Sequence, residues 1–145
     1  MIAIDTNILV AAHRADHPRH VLAEAALREL CLRGSPWALP WPCVHEFLAN
    51  VTHPRIWPKP TPVGQALEAI GRWLRLPFVH PLAENEGYWA ELTNLVVAAG
   101  ITGPRIHDAR IAALCLHHGV RELWTADRDF SLFPRLRTRN PLVSA

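Results

Sequence analysis

Lysine is nearly absent from this chain, and cysteine is scarce. Of its 15 Lys and Arg residues, 14 are arginine, and Lys59 is the single lysine. The cysteines, Cys31, Cys43 and Cys115, are odd in number and form no C-x-x-C pair. We therefore expect reduced thiols in a cytoplasmic protein and not a disulfide framework.

Long apolar runs are absent as well. No run approaches ~18 residues, so the sequence predicts no membrane span, and its start lacks the basic and apolar regions of a signal peptide. With 145 residues, 50% of them hydrophobic and 19% charged, the chain is expected to form one globular domain over residues 1–145. The net charge of +2 permits an acidic partner without requiring one.

Short apolar strands alternate with helices along the chain. Strands are predicted at residues 2–4, 37–39, 78–80 and 122–125, with a fifth candidate at 141–143. Helices are predicted at 8–13, from 16–18 to 34, at 42–51, from 61–62 to 76, at 84–99 and at 104–118, and the proline-rich segment 53–62 is predicted as a loop. This alternation is typical of an α/β domain with a mostly parallel sheet of about four to five strands.

Four acidic residues occupy related positions in this pattern. Asp5 directly follows the first predicted strand, and Asp127 directly follows the fourth. Glu46 lies early in the helix after the second strand, and Asp108 lies early in the helix that begins near residue 104. Since ligand sites of parallel sheets form outside the carboxyl ends of the strands, we expect the four carboxylates to face one crevice.

Clustered carboxylates raise one another's pKa and call for a cation, and hard cations such as Mg²⁺ or Mn²⁺ prefer oxygen ligands. Two such ions can hold a phosphodiester for hydrolysis. We expect Asp5 to be the central ligand because a strand end is rigid, with Asp108 and Asp127 beside it and Glu46 binding directly or through water. The alternative for Asp108 is a salt bridge to Arg105 or Arg110, and each acid taken singly could simply stabilise a helix start.

The segments IDTNILV, HDARIAA and LWTADRDF, with Glu46 between the first two, resemble a PIN domain, and within that family the VapC toxins of bacterial toxin–antitoxin pairs. The resemblance spans residues 2 to about 133. It implies an α/β/α sandwich and a Mg²⁺- or Mn²⁺-dependent endoribonuclease that acts on tRNA or ribosomal RNA, with catalytic and metal-binding carboxylates at Asp5, Glu46, Asp108 and Asp127. It also implies a homodimer and a cognate VapB-like antitoxin that occupies the cleft and contacts an apolar surface near residues 8–50.

The same resemblance assigns supporting roles to neighbouring residues. Thr6 and Asn7 match the D-T-N start and are expected to orient Asp5 or a metal-bound water, although they could equally cap a helix. Thr125 and Asp129 match a T-x-D-x-D-F motif. Thr125 is expected to form hydrogen bonds within the site, and Asp129 to bind the metal or to support a ligand.

Arginines and tryptophans supply candidate substrate contacts. Arg128, Arg135 and Arg137 form a basic stretch that suits phosphate contacts, although a solvated surface explains it equally well. Trp41 and Trp57 lie beside prolines and could stack on RNA bases or cover a protein interface, with packing against proline as the simplest reading. The other tryptophans are predicted to lie in the core: Trp37, Trp73, Trp89 and Trp124.

Other functions remain open at this point. Phosphatases and receiver domains that form aspartyl-phosphates also begin with an Asp after a first strand, but they need a lysine near the phosphoryl group, and Lys59 lies in the predicted loop. Phosphatases also need an acid where this chain has Asn7. A PIN-like nuclease acting on DNA, or a non-catalytic module that binds RNA or protein, are the remaining alternatives. Cleavage assays with RNA and DNA separate these alternatives.

Overall fold

A five-stranded parallel sheet forms the centre of the molecule. The structure is a computed structural model that describes residues 1–143. The strands are β1 (Ile2–Ile4), β2 (Trp37–Pro40), β3 (Val79–Leu82), β4 (Glu122–Trp124) and β5 (Thr138–Arg139). They are arranged in the order β3-β2-β1-β4-β5, and every neighbouring pair is parallel.

Six α-helices cover the sheet. They are α1 (Thr6–His13), α2 (His20–Leu32), α3 (Trp41–Val51), α4 (Val63–Arg75), α5 (Tyr88–Ala99) and α6 (Ile106–His117), with short 3₁₀ turns at Gly103–Arg105 and Arg128–Leu132. Helix α1 packs on α2 and α3, whereas α5 packs on α6. The arrangement is the α/β/α sandwich that the sequence predicted. Within residues 1–143, none of these helices has both the length and the apolar character to cross a bilayer.

The central strands are short and apolar because both of their faces are covered. Ala3 and Ile4 of β1 are fully buried, as is every residue of β2 from Trp37 to Leu39. Parallel strands between two helical layers have no polar face, so they appear in the sequence as continuous apolar runs. This is why β1, β2 and β4 could be predicted, whereas in the edge strand β3 only Val79 and Leu82 are buried.

The predicted strand at 141–143 is wrong. The fifth strand is β5, whose residues Thr138 and Arg139 are exposed and pair with Leu123 and Trp124 of β4. Leu142 is buried, but it lies in a turn in which its backbone N–H donates to the Asn140 side chain at 2.9 Å. A two-residue edge strand with polar side chains has no apolar pattern from which it could be predicted.

Helix α5 begins four residues later than predicted. Glu84 and Asn85 lie before it and contact Arg110 and His117 of α6 instead. Gly87 then adopts a left-handed conformation with φ 91°, which marks the entry into the helix. The acidic and polar residues that resembled a helix start therefore connect the segment before α5 to α6.

Residues before α2 and α4 also have other roles than the predicted ones. Asp16 does not begin α2 but accepts hydrogen bonds from Arg14. At the helix start predicted at 61–62, Pro62 holds the N-cap position of α4, and the Thr61 hydroxyl does not cap the helix but contacts Arg14 and His13. Asp16 and Thr61, which could have capped the two helices, instead form hydrogen bonds with Arg14.

The tryptophans divide between core and surface. Trp37 and Trp124 are buried, and Trp73 is half-buried against the core. Trp89 was predicted to be buried, but 75% of it is exposed. The inward positions of α5 are taken by Tyr88 and Leu95, so Trp89 points to solvent.

Candidate active site

All four predicted carboxylates line one groove at the carboxyl ends of β1, β2 and β4. The groove has a volume of about 330 Å³. Its lining residues are Asp5, Thr6, Asn7, Val10, His17, Glu46, Asn50, Trp57, Asp108, Ile111 and Asp127. Residues that are far apart in sequence meet here because the parallel strands end at the same edge of the sheet.

Asp5 is buried and held by several donors. It ends β1 and caps α1, and its Oδ1 accepts from the backbone N–H of Thr6 at 2.7 Å. Its Oδ2 accepts from the Thr125 hydroxyl at 2.6 Å and from Asn7 Nδ2 at 3.2 Å. The thiol of Cys43 lies 3.7 Å from Oδ1. These contacts fix the orientation of the Asp5 carboxylate.

A chain of hydrogen bonds ties the end of β1 to the loop after β4. The Thr125 hydroxyl accepts from the backbone N–H of Asp127 at 3.0 Å, and Asp127 Oδ1 accepts from the N–H of Asp129 at 2.8 Å. Asn7 Oδ1 accepts from the N–H of Ala126 at 3.0 Å. The polar residues of the two motifs therefore position one another.

Glu46 reaches the same groove from α3. Its side chain is exposed, and its Oε2 accepts from the Thr6 hydroxyl at 2.7 Å. Thr6 thus uses its backbone N–H for Asp5 and its hydroxyl for Glu46. The two acids are coupled through one residue of α1.

Asp108, Asp127 and Asp129 form the tightest acidic cluster among the described residues. One carboxylate oxygen from each lies within 4.8 Å of those of the other two. Asp5 and Glu46 line the groove but are not members of this set, whereas Asp129, which was expected to bind the metal or to support a ligand, is a member. A set of three carboxylates suits a hard divalent cation.

The salt bridge considered as an alternative for Asp108 does not form. Arg110 pairs with Glu84 instead, and within residues 1–143 neither Arg110 nor Arg105 forms an ion pair with Asp108. Neither arginine therefore neutralises the negative charge of Asp108, whose charged neighbours in the groove are other acids.

Burial and mutual repulsion raise the pKa values of the acids. The pKa of Asp108 is raised to about 6, first by burial and then, in decreasing order, by the charges of Asp127, Asp5, Asp129 and Glu46. The pKa of Asp5 is also raised, mainly by burial and to a smaller extent by Glu46, against the opposing hydrogen bonds from Thr125, Thr6 and Cys43. A bound divalent cation would compensate this excess of negative charge, so the residues present fit such an ion.

The predicted arginines separate in space. Arg128 is exposed and directly follows Asp127. Arg135 donates to Glu91 of α5 at 2.9 Å. Arg137 lines a different cavity, with Glu122, at the amino ends of the strands. Of the three, only Arg128 is adjacent to the acidic groove.

Several residues of the site carry no sequence signal for it. No role in this site was predicted for Cys43, Asn50 or His17, and Trp57 was one of two tryptophans considered for base stacking. Burial, followed by the charge of Asp5, raises the pKa of the Cys43 thiol, so that it remains protonated and can donate to Asp5. Only the tertiary structure places these side chains at the groove.

Comparisons with known proteins agree with the observed fold. The PIN domain family matches residues 2–136 of this chain. Ribonuclease VapC43 of Mycobacterium tuberculosis is 34% identical over 142 residues, which cover 98% of this chain and 96% of the relative. Two solved structures share the fold: VapC20 of M. tuberculosis, described as a Sarcin-Ricin loop cleaving toxin, and VapBC2 of Rickettsia felis bound to a promoter DNA fragment.

The structural agreement extends over nearly the full chain. VapC20 superposes with a TM-score of 0.66 at 17% identity, covering 90% of this chain and 93% of its own. The VapBC2 chain superposes with a TM-score of 0.66 at 22% identity, covering 97% of this chain and 98% of its own. With the family match spanning most of the sequence and the acidic groove at the ends of the strands, this chain belongs to the PIN domain family.

Proposed function

We propose that the protein is a VapC-type toxin, a metal-dependent endoribonuclease that hydrolyses RNA phosphodiesters. The observation that carries this proposal is the convergence of Asp5, Glu46, Asp108 and Asp127 on one groove, in a chain 34% identical to a named ribonuclease. These four residues are the proposed catalytic set.

Mg²⁺ or Mn²⁺ is the proposed cofactor. Asp108, Asp127 and Asp129 would hold one ion, and Asp5 and Glu46 line the groove beside them and complete the oxygen-rich environment. When bound, such an ion lowers the pKa of an attacking water and stabilises the charge that develops on the leaving oxygen. Asp129 is thus proposed as a direct ligand and not only as a supporting residue.

The chain itself supplies a preorganised set of negative groups. The donors Thr6, Asn7 and Thr125 hold the Asp5 carboxylate in place before any ligand binds. A charged group that need not reorganise contributes most to stabilising a transition state. We therefore assign Thr6, Asn7 and Thr125 a positioning role in catalysis.

RNA is the proposed substrate because the relative is named a ribonuclease, and tRNA or ribosomal RNA is the proposed class. VapC20, which shares the fold, is described as cleaving the Sarcin-Ricin loop. A DNA-directed nuclease is the second candidate, since the chemistry of the metal site does not itself select the sugar.

A VapB-like antitoxin and a second copy of this chain are the proposed partners. The VapBC2 neighbour supports the first of these. Exposed apolar side chains are present on α2 at Val21 and Leu32, in the region where such a surface was expected, and on α4 at Val63 and Leu67. A homodimer would show twice the chain mass of 16.3 kDa in sedimentation equilibrium of the antitoxin-free protein.

The proposed activity can be tested by incubating antitoxin-free protein with total RNA and with single-stranded DNA in Mg²⁺, Mn²⁺ or EDTA. We expect discrete RNA products with either metal and none in EDTA. Asp5→Asn and Asp108→Asn should each lower the cleavage rate about 100-fold or more, because each removes a charge at the reacting centre. Glu29→Gln, at an exposed acid on α2, is the matched control and should keep the wild-type rate.

Three results would contradict the proposal. Full activity of Asp5→Asn would place the chemistry elsewhere. Cleavage of DNA alone would keep the site but overturn the ribonuclease assignment. Tight RNA binding without cleavage in either metal would indicate a non-catalytic module.

A further inference from the structure

The proline-rich segment 53–62 carries an aromatic side chain into the acidic groove. Trp57, from this segment, and His17, from the connection between α1 and α2, line the groove together with Asp108 and Asp127. Neither aromatic residue is needed for the proposed chemistry. Their position therefore calls for another explanation.

Arg14 ties this segment to the end of α1. Only 8% of Arg14 is exposed. Its Nη1 donates to the carbonyl oxygen of Lys59 at 2.8 Å and to the Thr61 hydroxyl at 3.2 Å, while Nε and Nη2 donate to Asp16 at 2.9 and 2.6 Å. A buried guanidinium with its donors in use is a rigid anchor.

The indole of Trp57 is held by contacts on two sides. Its Nε1 donates to Asn50 Oδ1 at 3.0 Å, and the Cζ atom of Arg14 lies 4.3 Å from the ring centroid. The His17 ring lies at a centroid distance of 6.3 Å. Trp57 nevertheless remains partly exposed, so a fixed aromatic surface forms part of the wall of the groove.

The acidic groove repels nucleic-acid phosphates, and base stacking on this aromatic wall can supply binding energy that offsets the repulsion. Its carboxylates repel the phosphates of a nucleic acid, and the net charge of +2 provides little general attraction. Stacking of bases on aromatic side chains does not depend on phosphate contacts and is a common mode of binding single-stranded RNA. A base attached to a phosphodiester in this groove would reach the wall that contains Trp57.

We propose that Trp57, flanked by His17, is a stacking platform for a nucleobase of the RNA strand next to the scissile phosphate. The inference rests on the proposed ribonuclease function and adds a residue that determines substrate binding. Arg14 and Asn50 hold the platform, which belongs to the segment 53–62.

The platform can be tested by measuring the affinity of a short RNA oligonucleotide that spans the cleavage site mapped with wild-type protein. The Asp5→Asn background prevents cleavage during the titration. Trp57→Ala should raise Kd about tenfold, a typical loss for one stacked base. Trp57→Phe, which keeps a flat ring but loses the hydrogen bond to Asn50, should restore part of the affinity. Trp89→Ala, at the exposed tryptophan of α5, is the matched control and should leave Kd unchanged.

An abasic scan identifies the stacked nucleotide. Removing the base at one position should weaken binding about tenfold in protein that contains Trp57, and should have little further effect in Trp57→Ala, because both changes remove the same contact. Thermal unfolding of Trp57→Ala near the wild-type midpoint shows that the fold is kept.

The outcomes separate the two proposals. If wild-type protein cleaves RNA but Trp57→Ala leaves Kd unchanged, the platform is overturned and the ribonuclease function stands. Independent, additive losses from the abasic site and Trp57→Ala also overturn the platform. If wild-type protein cleaves no RNA in any metal, both proposals fall.

Discussion

The carboxylates of the groove repel one another, and this repulsion is visible in the pKa values of individual residues. Asp5 and Asp108 both have raised pKa values, with burial as the first cause and neighbouring acids adding to it. A site that binds a cation must keep its negative groups together even when the cation is absent. We infer that the proposed metal site costs the metal-free protein part of its stability.

Asp108→Asn should stabilise the metal-free protein at high pH. The carboxyl of Asp108 has a folded pKa of about 6 against an ordinary value of 3.8, so the folded state holds more protons between these values. Its ionisation therefore lowers stability as the pH rises through this window. In EDTA, we expect the variant to melt a few degrees above wild type at pH 8 and close to wild type at pH 4.

Asp16→Asn is a control of opposite sign. The hydrogen bond from Arg14 lowers the pKa of Asp16, so this ion pair stabilises the protein above the ordinary pKa of 3.8 and is lost as the pH falls through the lowered value. The variant should melt below wild type at pH 8. A lower melting temperature of Asp108→Asn at pH 8 would contradict the repulsion described here.

Metal affinity should depend on pH in the same window. Asp108 must lose its proton to bind a cation, and its pKa is about 6 in the metal-free protein. Calorimetric titration with Mn²⁺ should show affinity that rises about tenfold per pH unit below 6 and levels off above 7, as expected for the release of one proton. Constant affinity between pH 5 and 7 would show that Asp108 is not a ligand.

At the scale of elements, the site depends on where strands end and helices begin. Asp5 stands between β1 and α1, Glu46 lies on α3, and Asp108 lies on α6. Strand pairing brings these elements to one edge of the sheet, and contacts between helices fix their distances. The short segment before α5 takes part in this packing, because Glu84 and Asn85 contact α6.

Gly87→Ala should loosen the start of α5. Gly87 has φ 91°, and a Cβ atom there would lie 3.0 Å from Cε1 of His117 on α6. We expect a loss of roughly 2 kcal/mol in the free energy of unfolding from urea titration, because the left-handed conformation and the close contact both act against alanine. Gly100→Ala is the matched control: its φ is 62° and no atom lies within 4 Å of its Cβ position, so it should lose only about 1 kcal/mol. Equal losses would show that the contact with His117 is readily relieved.

At the scale of the whole molecule, charge is distributed unevenly between the carboxyl ends and the amino ends of the strands. The carboxyl ends of the strands carry the acidic groove, whereas Arg121 and Arg137 lie at the amino ends. The net charge of +2 averages over these regions and describes neither. For the proposed RNA substrate, we therefore expect attraction by particular arginines and by a bound cation more than by the overall field.

Arg128→Gln and Arg137→Gln test this distribution. Both arginines are exposed, but only Arg128 is adjacent to the groove. Loss of one phosphate contact to single-stranded RNA reduces the slope of log Kd against log salt concentration by about 0.7. We expect this reduction for Arg128→Gln and an unchanged slope for Arg137→Gln in RNA-binding titrations of the Asp5→Asn protein. A reduced slope for Arg137→Gln would place part of the RNA path at the opposite edge.

The sequence by itself determined the class of fold and the members of the acidic set. Buried parallel strands are apolar on both faces, so β1, β2 and β4 could be recognised, and the acids of the groove occur within short sequence patterns. The parallel arrangement then required their ends to meet at one edge. These features depend on local patterns and on a topology with few alternatives.

Only the tertiary structure decided the geometry of the site. It brought Asp129 into the closest acidic cluster, placed Arg137 at the far edge of the sheet, and set Trp57 against Arg14 in the groove. The edge strand β5 also escaped prediction, because its exposed residues carry no apolar pattern. Contacts between residues distant in sequence fix these positions. The free energy of such contacts cannot be inferred from any short stretch of the chain, because it depends on two stretches meeting in the fold.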